Sequence, residues 1–486
     1  MSFAMWSEMS VVSLLCAMVV VAVPWNHANN PDRFGLEIGS GFEYKLRNLA
    51  RAAELKHVPW SDTYWPSYQS GIAHRWNAHP FEDFKYKLFS KQELINMTLN
   101  EKKSLSPAEK YSIFVRRYDY PLVRSEWSRT SPHDAKWEGL CHGWAPAASQ
   151  FAQPKPVVIK NADGIEIPFG SSDVKALLTY FAAQYDHGRQ TAFLAQRCNA
   201  DLDQEPRMLS AAECVDMNAA SMHVLMTNVI GKLGVSFVID RDRGLQVWNQ
   251  PVSSYESSLG TISKNNNSQG FTVDVRTRIY FAVETLPAWE AHPAYISHKT
   301  YDYTLELDSE ERIIGGSYPD IRADRIDFAW LSPVNKFHGF FSHLKQLYEA
   351  STGSSPPEFD AFELVSNIPS ESTLSGLHGS FSHSSYESQE HKMWSIAPRI
   401  DVGTEIEGIT ITFTRIDTQR HRDTIRIYEN ADGTGALVAV LHGHYSEPVI
   451  VPVMSSGALV VFTSESSGSQ IQGFEAQFVA TQAKNK

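Results

Sequence analysis

The sequence contains little cysteine and none of the cysteine or histidine spacings typical of zinc sites. Only four of its 486 residues are cysteines, and no C-x-x-C or H-x-x-x-H pair occurs. The absence of paired ligands favours a disulfide or a reactive thiol over a metal centre. Zinc stays an alternative for four ligand-type side chains: Cys141, His142, Cys198 and Cys214.

Positive charge is also scarce, and long apolar runs are confined to the N-terminus. Forty-three Lys and Arg stand against fifty-five Asp and Glu, a net charge of −12, so nucleic acid is not an expected partner. The apolar run at residues 11–23 has the length of a signal-peptide core rather than of a membrane span. We therefore expect a signal peptide at residues 1–28 and a protein secreted to the extracellular space or cell wall, without a membrane span. A buried N-terminal helix is the alternative.

The cysteines that remain after such a cleavage are odd in number. Cys198 and Cys214 lie sixteen residues apart in a polar stretch, and closing that loop stabilises a fold by about 3 kcal/mol. Pairing these two residues leaves Cys141 as a free thiol. A free thiol in an oxidising compartment calls for a function.

Patterns of hydrophobicity divide the chain into regions of different character. Helical and strand patterns alternate up to about residue 334, as in "SSDVKALLTYFAAQY" and "YDYTLELD", which predicts an α+β core. The Ser/Pro/Gly stretch "STGSSPPEFD" reads as a linker, and short alternating strands after it predict a β-sandwich. The predicted divisions are a signal peptide at 1–28, an N-terminal segment at 29–125 that is either a prosegment or part of the catalytic domain, a catalytic domain at 126–350, a linker at 351–372 and a β-sandwich at 373–486.

Cys141 lies in the stretch "KWEGLCHGWAPAA", whose chemistry depends on where a helix begins. Pro146 fits only the first turn of a helix, so we expect Cys141 at or just before the helix start, where the dipole favours a thiolate. His223 is the candidate base and Asp240 the carboxylate that orients it, in the chain order of papain-like enzymes. Taken alone, His223 also fits a helix core, and Asp240 a turn.

Several blocks of sequence resemble the oomycete transglutaminase elicitors. "VWNQPVSSYES" at Val247–Ser257 matches the surface motif of that family in its first six residues, and "MHVLMTNVIG", "FVID" and "WEGLCHGWAPAA" fall in the family's order. The resemblance implies a papain-like fold and a protein-glutamine γ-glutamyltransferase with Cys141 as nucleophile, His223 as base and Asp240 as orienting carboxylate. It also implies a receptor-accessible segment, for which we expect Gln250 to Ser254 to face solvent. The elicitor-like motif comprises Val247, Trp248, Asn249, Gln250 and Pro251.

The C-terminal strands resemble a CUB domain in the order of "MWSIAP", "ITITFTRID" and "DTIRIYEN". The resemblance implies a protein or glycan ligand for this domain. Calcium, as an activator that takes no part in the chemistry, is implied instead by the transglutaminase resemblance. A protein or glycan ligand does not follow from a β-sandwich alone, because a fold does not specify its ligand.

The sequence therefore predicts a papain-like α+β cysteine-transferase core followed by an all-β CUB-like sandwich. The predicted function is a secreted transglutaminase that joins glutamine to lysine side chains through a cysteine thioester. A papain-like cysteine protease and a non-enzymatic elicitor or adhesin are the alternatives. Expected partners are proteins with accessible Gln and Lys and a host immune receptor. Three tryptophans are predicted to line the site and shield the thioester from water: Trp137, Trp144 and Trp248.

Overall fold

The fold is given by a computed structural model of the chain. Residues 1–24 of the predicted signal peptide and residues 358–369 of the predicted linker lie outside the part that the structure describes. The described residues are 25–37, 41–79, 81–185, 191–198, 200–202, 204–210, 214, 216–264, 270–319, 323–334, 336–357, 370–386, 390–399, 405–420, 422–464 and 472–482.

Short helices and many strands make up the described part of the chain. The helices are α1 (Pro31–Glu37), α2 (Lys91–Asn96), α3 (Leu99–Lys103), α4 (Pro107–Phe114), α5 (Pro121–Arg129), α6 (Cys141–Gln150), α7 (Ser171–Gln184), α8 (Ala219–Asn228) and α9 (Leu344–Thr352). The strands are β1 (Ala52–Glu54), β2 (Val157–Lys160), β3 (Glu166–Phe169), β4 (Ala192–Leu194), β5 (Val238–Asp240), β6 (Asn249–Leu259), β7 (Ser263–Lys264), β8 (Phe271–Ala282), β9 (Ile296–Leu307), β10 (Ile313–Ser317), β11 (Ala329–Leu331), β12 (Ser370–Leu374), β13 (His378–His383), β14 (His391–Ile396), β15 (Ile406–Asp417), β16 (Thr424–Glu429), β17 (Leu437–Leu441), β18 (His444–Tyr445), β19 (Val449–Val453), β20 (Ala458–Thr463) and β21 (Gly473–Gln482). Within the described residues, no helix combines the length and apolar character needed to cross a bilayer.

A nine-stranded antiparallel sheet organises the first two thirds of the chain. Its strands follow the order β10-β9-β8-β6-β5-β11-β4, with β1 beside β6 and β7 beside β8. The strands β6, β8 and β9 are 11, 12 and 12 residues long and pair side by side. Strands twist, so a long antiparallel sheet curls, and this one forms a curled half-barrel.

The two faces of this sheet belong to two different hydrophobic cores. Successive side chains of a strand point to opposite faces, and accordingly Val238 lies in one core while its neighbour Ile239 lies in the other. The core of Val238 contains the apolar residues of α6 and α7. The core of Ile239 contains those of α8. The sheet therefore lies between α6 and α8 and separates their side chains.

The papain-like α+β core predicted from the sequence is wrong. The described chain is largely β, and its main sheet is a curled antiparallel half-barrel rather than the smaller sheet of a papain-like core. The helical pattern at 171–185 is present as α7, and the apolar segment around His223 forms α8, which a π-helical turn at Val229–Leu233 extends. The sequence pattern did not predict how long β6, β8 and β9 are. Their length makes the sheet the dominant element.

A β-sandwich at the C-terminus confirms the predicted architecture of that region. One five-stranded sheet has the order β12-β14-β20-β16-β17, and the other is built from β13, β21, β15, β18 and β19. Both sheets contribute apolar side chains to one core, including Phe381, Trp394 and Phe474. The resemblance to CUB domains stays a prediction, and so do the exact domain boundaries.

The N-terminal segment and the sandwich both pack against the central helices. Tyr111 of α4 and Tyr180 of α7 share a core with Tyr428 of the sandwich. The Arg117 guanidinium binds the Glu429 carboxylate through two N–H···O bonds of 2.9 Å. The sandwich is therefore held to the helical region by a shared apolar core and by the bidentate ion pair between Arg117 and Glu429.

Candidate active site around Cys141

Cys141 is the first residue of α6, as expected, but the premise of that prediction was wrong. Pro146 lies inside the helix, in its second turn rather than its first. Two glycines allow this stretch to pack closely, because each lies where a Cβ has no room. A Cβ on Gly139 would come within 2.6 Å of Tyr64, and a Cβ on Gly143 within 2.3 Å of the Thr179 carbonyl oxygen of α7. The start of α6 therefore packs tightly against α7.

The Cys141 thiol contacts the segment that leads into β6. Its Sγ lies 3.7 Å from the Val247 carbonyl oxygen, to which the thiol donates, and 3.4 Å from Nδ2 of Asn249. The Asn249 side chain is oriented in turn, because its Oδ1 accepts a 2.8 Å hydrogen bond from Nε1 of Trp330 on β11. Asn249 and Trp330 are 4% and 5% exposed. An oriented amide donor therefore faces the thiol.

The pKa of the Cys141 thiol is raised, contrary to the expectation of a thiolate. Burial, with smaller contributions from the carboxylates of Glu284 and Asp240, raises it to about 11. The side-chain and backbone N–H groups of Asn249 act in the opposite direction and lower this pKa. Cys141 is only 7% exposed, so desolvation of the thiolate outweighs the helix terminus.

Asp240 holds the β5–β6 connection rather than a histidine. Its Oδ1 accepts hydrogen bonds from the backbone N–H groups of Asp242 at 3.0 Å and Trp248 at 3.1 Å. Asp240 lies directly opposite Asn249 on the neighbouring strand, so both side chains lie on the α6 face of the sheet. Burial raises the pKa of Asp240 to about 7. Asp240 therefore acts on Cys141 in two ways: it positions the Trp248–Asn249 segment, and its charge acts on the thiol.

An aromatic pair lies beside the thiol. The rings of Tyr64 and Trp248 meet edge to face with centroids 5.6 Å apart. Tyr64 also anchors the helix start, because its carbonyl oxygen accepts a 2.6 Å hydrogen bond from the N–H of Leu140. Burial raises the pKa of Tyr64 to about 12, with smaller contributions from Glu284 and Cys141. Both side chains are partly exposed, so they form the rim of the site.

His223 lies on the opposite face of the sheet from Cys141. It belongs to α8, and its Nδ1 shares a 2.7 Å hydrogen bond with the hydroxyl of Tyr303 on β9. Tyr303 and the flanking α8 residues are part of the core that contains Ile239, not of the core that contains α6. Burial lowers the pKa of His223 to about 4. The structure therefore brings Cys141, Asn249 and Asp240 together and leaves His223 apart.

The predicted site-lining tryptophans differ in position. Trp144 is fully buried within α6, on the side of the core. Trp137 is partly buried against the same core. Trp248 is next to Val247, whose carbonyl contacts the thiol, and it packs on Tyr64. Of the three, Trp248 is at the rim beside the thiol.

Most of the elicitor-like motif is buried, contrary to the expectation that Gln250 to Ser254 face solvent. Gln250 and Ser253 are each 3% exposed, whereas Trp248 and Ser254 are partly exposed. Pro251 lies within the strand pairing, opposite Val238 in the β5–β6 register. The segment is paired with β5 and then with β8, so the motif contributes to the site through Val247, Trp248 and Asn249 rather than through an exposed loop.

Cys198 and Cys214 form the disulfide predicted from their spacing. This pairing leaves Cys141 as the free cysteine of the described residues, and it removes two ligands from the alternative zinc set. In the ranges that the structure describes, no group of three or more His, Cys, Asp or Glu side chains is arranged to hold a metal ion. Calcium activation stays a prediction.

Sequence reasoning missed three residues of this site. Asn249 was predicted only as part of the elicitor-like motif, without a role at the thiol, and Trp330 and Glu284 were not singled out. Asn249 and Cys141 are 108 residues apart in the chain, so their contact depends on strand register and not on a local pattern. No local signal marks Asn249, because the strand that it begins, NQPVSSYESSL, is rich in polar residues.

Comparison with known protein families identifies the region that contains this site. Residues 133–338 match the family model of the transglutaminase elicitors. The match begins eight residues before Cys141 and includes Asp240, Asn249, Glu284 and Trp330. No curated protein matches the chain. The family match therefore covers Cys141 and the residues that are hydrogen-bonded to its thiol, whereas Tyr64 at the rim lies outside it.

Solved structures similar to parts of the chain include one that is named a transglutaminase. The GP42 transglutaminase from Phytophthora sojae matches with 20% identity and a TM-score of 0.49, over 67% of this chain and 98% of that chain. The Ca²⁺-bound MASP-1 CUB2 domain matches with 17% identity and a TM-score of 0.18, over 22% of this chain and 96% of that chain. The CUB1-EGF-CUB2 domains of rat MASP-1 match with 16% identity and a TM-score of 0.19, over 24% of this chain and 44% of that chain. These TM-scores are too low to establish a shared fold.

Proposed function

We propose that the protein is a secreted protein-glutamine γ-glutamyltransferase with Cys141 as its nucleophile. The observation that carries the proposal is the placement of a free thiol at the first residue of α6, 3.4 Å from the oriented amide of Asn249, within the region that matches the transglutaminase elicitors. The Cys198–Cys214 disulfide supports secretion, because such bonds persist in oxidising compartments.

The first half-reaction forms a thioester. Sγ of Cys141 attacks the γ-carbonyl carbon of a protein-bound glutamine, the C–N bond breaks, and the thiol proton passes to the amide nitrogen, which leaves as ammonia. A thiol that is protonated at rest supplies this proton itself. The backbone N–H of Cys141 is an oxyanion donor, since the first N–H groups of a helix have no helical acceptor. No step uses His223 or a metal ion.

The second half-reaction transfers the acyl group to an amine. The nitrogen of a lysine side chain attacks the thioester, the C–N bond of the isopeptide forms, and the C–S bond breaks to regenerate the thiol. The partly exposed rings of Tyr64 and Trp248 at the rim disfavour water as the competing nucleophile, because apolar surface there limits its access.

Incubation with casein and a labelled primary amine tests this proposal. We expect wild-type protein to release ammonia and to attach the amine to casein glutamines. Cys141→Ala should lose both activities with an unchanged melting temperature. Casein fragments without amine incorporation would instead identify a cysteine protease. No reaction at all, together with a Cys141 inert to alkylation, would identify a non-enzymatic elicitor or adhesin.

A further inference from the structure

Glu284 occupies a place in the site that the half-reactions above leave unexplained. It lies two residues beyond the end of β8. The β6–β8 pairing ends with Val252 opposite Phe281, and Glu284 follows three residues after Phe281, where it is hydrogen-bonded to Gln250 of β6. The charge of Glu284 acts on the Cys141 thiol and is the larger of the two carboxylate effects there.

The two oxygens of this carboxylate have different surroundings. Oε2 accepts a hydrogen bond from Nε2 of Gln250 at 3.4 Å, and the Gln250 Oε1 in turn accepts from Nε of Arg241. Oε1 is shielded from solvent and has no hydrogen-bond partner among the described residues. A carboxylate oxygen shielded from water without a partner costs free energy. That cost is explained if the oxygen receives a donor during the reaction.

We propose that Glu284 receives the acceptor amine in the second half-reaction. The inference rests on the proposed transglutaminase function and names the group that selects a lysine side chain over a neutral nucleophile. The acceptor arrives as an ammonium ion, and Oε1 of Glu284 accepts a hydrogen bond from it. Gln250 and Arg241 hold the carboxylate so that Oε1 stays directed at the acceptor.

The proton balance follows from this placement. The ammonium nitrogen gives one proton to Oε1, which frees its lone pair to attack the thioester carbonyl carbon. As the C–N bond forms and the C–S bond breaks, the second proton of the nitrogen passes to Sγ and restores the thiol. Glu284 then returns its proton to solvent. Burial raises the pKa of Glu284 above its ordinary value, which suits a group that holds a proton transiently.

Kinetics of Glu284→Gln against two kinds of acceptor test the inference. The variant keeps the shape of the side chain and removes its charge. We expect the KM for a charged primary amine to rise about tenfold or more, the loss expected for a charge-assisted hydrogen bond. Removing the charge of Glu284 also acts on the Cys141 thiol, so each transfer rate is divided by the ammonia release of the same variant. The ratio for hydroxylamine, which is neutral at pH 7, should then remain within about twofold of wild type, whereas the ratio for the charged amine should fall. Glu284→Asp, which restores the charge, should recover part of the amine affinity.

Glu290→Gln is the matched control, since Glu290 is an exposed carboxylate in the same loop. The inference is overturned if Glu284→Gln and Glu290→Gln change the amine KM equally. It is also overturned if Glu284→Gln lowers ammonia release as much as amine transfer at an unchanged melting temperature. Wild-type protein that releases no ammonia would remove the proposed function and this role together, whereas the other two outcomes remove the role of Glu284 alone.

Discussion

Replacement of Asn249 by alanine perturbs the contact on which the site depends. In the structure Asn249 donates to Sγ of Cys141 and accepts from Nε1 of Trp330. Alanine removes both hydrogen bonds and leaves the indole N–H of Trp330 in a position that is 5% exposed. A buried donor without a partner costs about 1–3 kcal/mol. We expect the free energy of unfolding to fall by about that amount, measured by urea denaturation.

The same substitution changes the chemistry of the thiol. The Asn249 N–H groups lower the pKa of Cys141, whereas burial and the carboxylates of Glu284 and Asp240 raise it. Losing the side-chain donor therefore raises a pKa that is already about 11, and each further unit lowers the thiolate fraction about tenfold. The rate of alkylation by iodoacetamide, followed from pH 7 to pH 10, should rise with pH in wild type and be lower in Asn249→Ala at every pH.

A matched control separates this effect from a general loosening of the segment. Gln246 is exposed and accepts a 3.0 Å hydrogen bond from Nε1 of Trp248, so Gln246→Ala removes a side-chain amide from the same connection without touching Cys141. It should leave both stability and alkylation near wild type. Equal alkylation rates and equal stability for Asn249→Ala and wild type would refute the assigned contacts.

Three further substitutions have definite expected outcomes. His223→Leu should lower the melting temperature, because it leaves the buried Tyr303 hydroxyl with one partner fewer. The variant should retain amine transfer per folded molecule. Loss of transfer at an unchanged melting temperature would restore His223 as the base. Replacing Cys198 and Cys214 together by serine should lower the free energy of unfolding by about 3 kcal/mol, and an unchanged urea midpoint would contradict this. Asp240→Asn should stabilise the protein at pH 7 and above by about one to a few kcal/mol. The native pKa of Asp240 is raised to about 7 from 3.8. As the pH rises between those values, the unfolded state releases its proton first, so wild type loses stability. Equal pH dependence of the free energy of unfolding in the variant and in wild type would contradict this assignment.

The parts of the fold that local patterns determine were predictable from the sequence. The alanines after Cys141 predicted a helix there, although Pro146 lies in its second turn rather than its first, and the odd cysteine count with a sixteen-residue spacing predicted the Cys198–Cys214 pair. The C-terminal sandwich followed from short strands separated by turns. Each of these predictions uses residues that are close together in sequence, or the number of cysteines. None of them requires knowledge of the strand register.

The parts that depend on which face a residue occupies were not predictable in the same way. His223 lies in an apolar helix, and the pattern does not say which side of the sheet that helix covers; the structure gives it Tyr303 as a partner. Asn249 faces Cys141 only because β5 and β6 pair with Asp240 opposite Asn249, and a shift of one residue would turn it to the other face. The packing of the motif into the sheet, rather than on the surface, follows from the same register.

The central claim is that Cys141 carries the acyl group, and a trapped thioester tests it most directly. Wild-type protein is incubated with a glutamine-containing peptide without amine, denatured in acid, and its proteolytic fragments are weighed by mass spectrometry. The account predicts an adduct equal to the peptide minus one ammonia on the fragment that contains Cys141, lost after treatment with hydroxylamine and absent in Cys141→Ala. Ammonia release without an adduct on that fragment, or an adduct on any other residue, would contradict it.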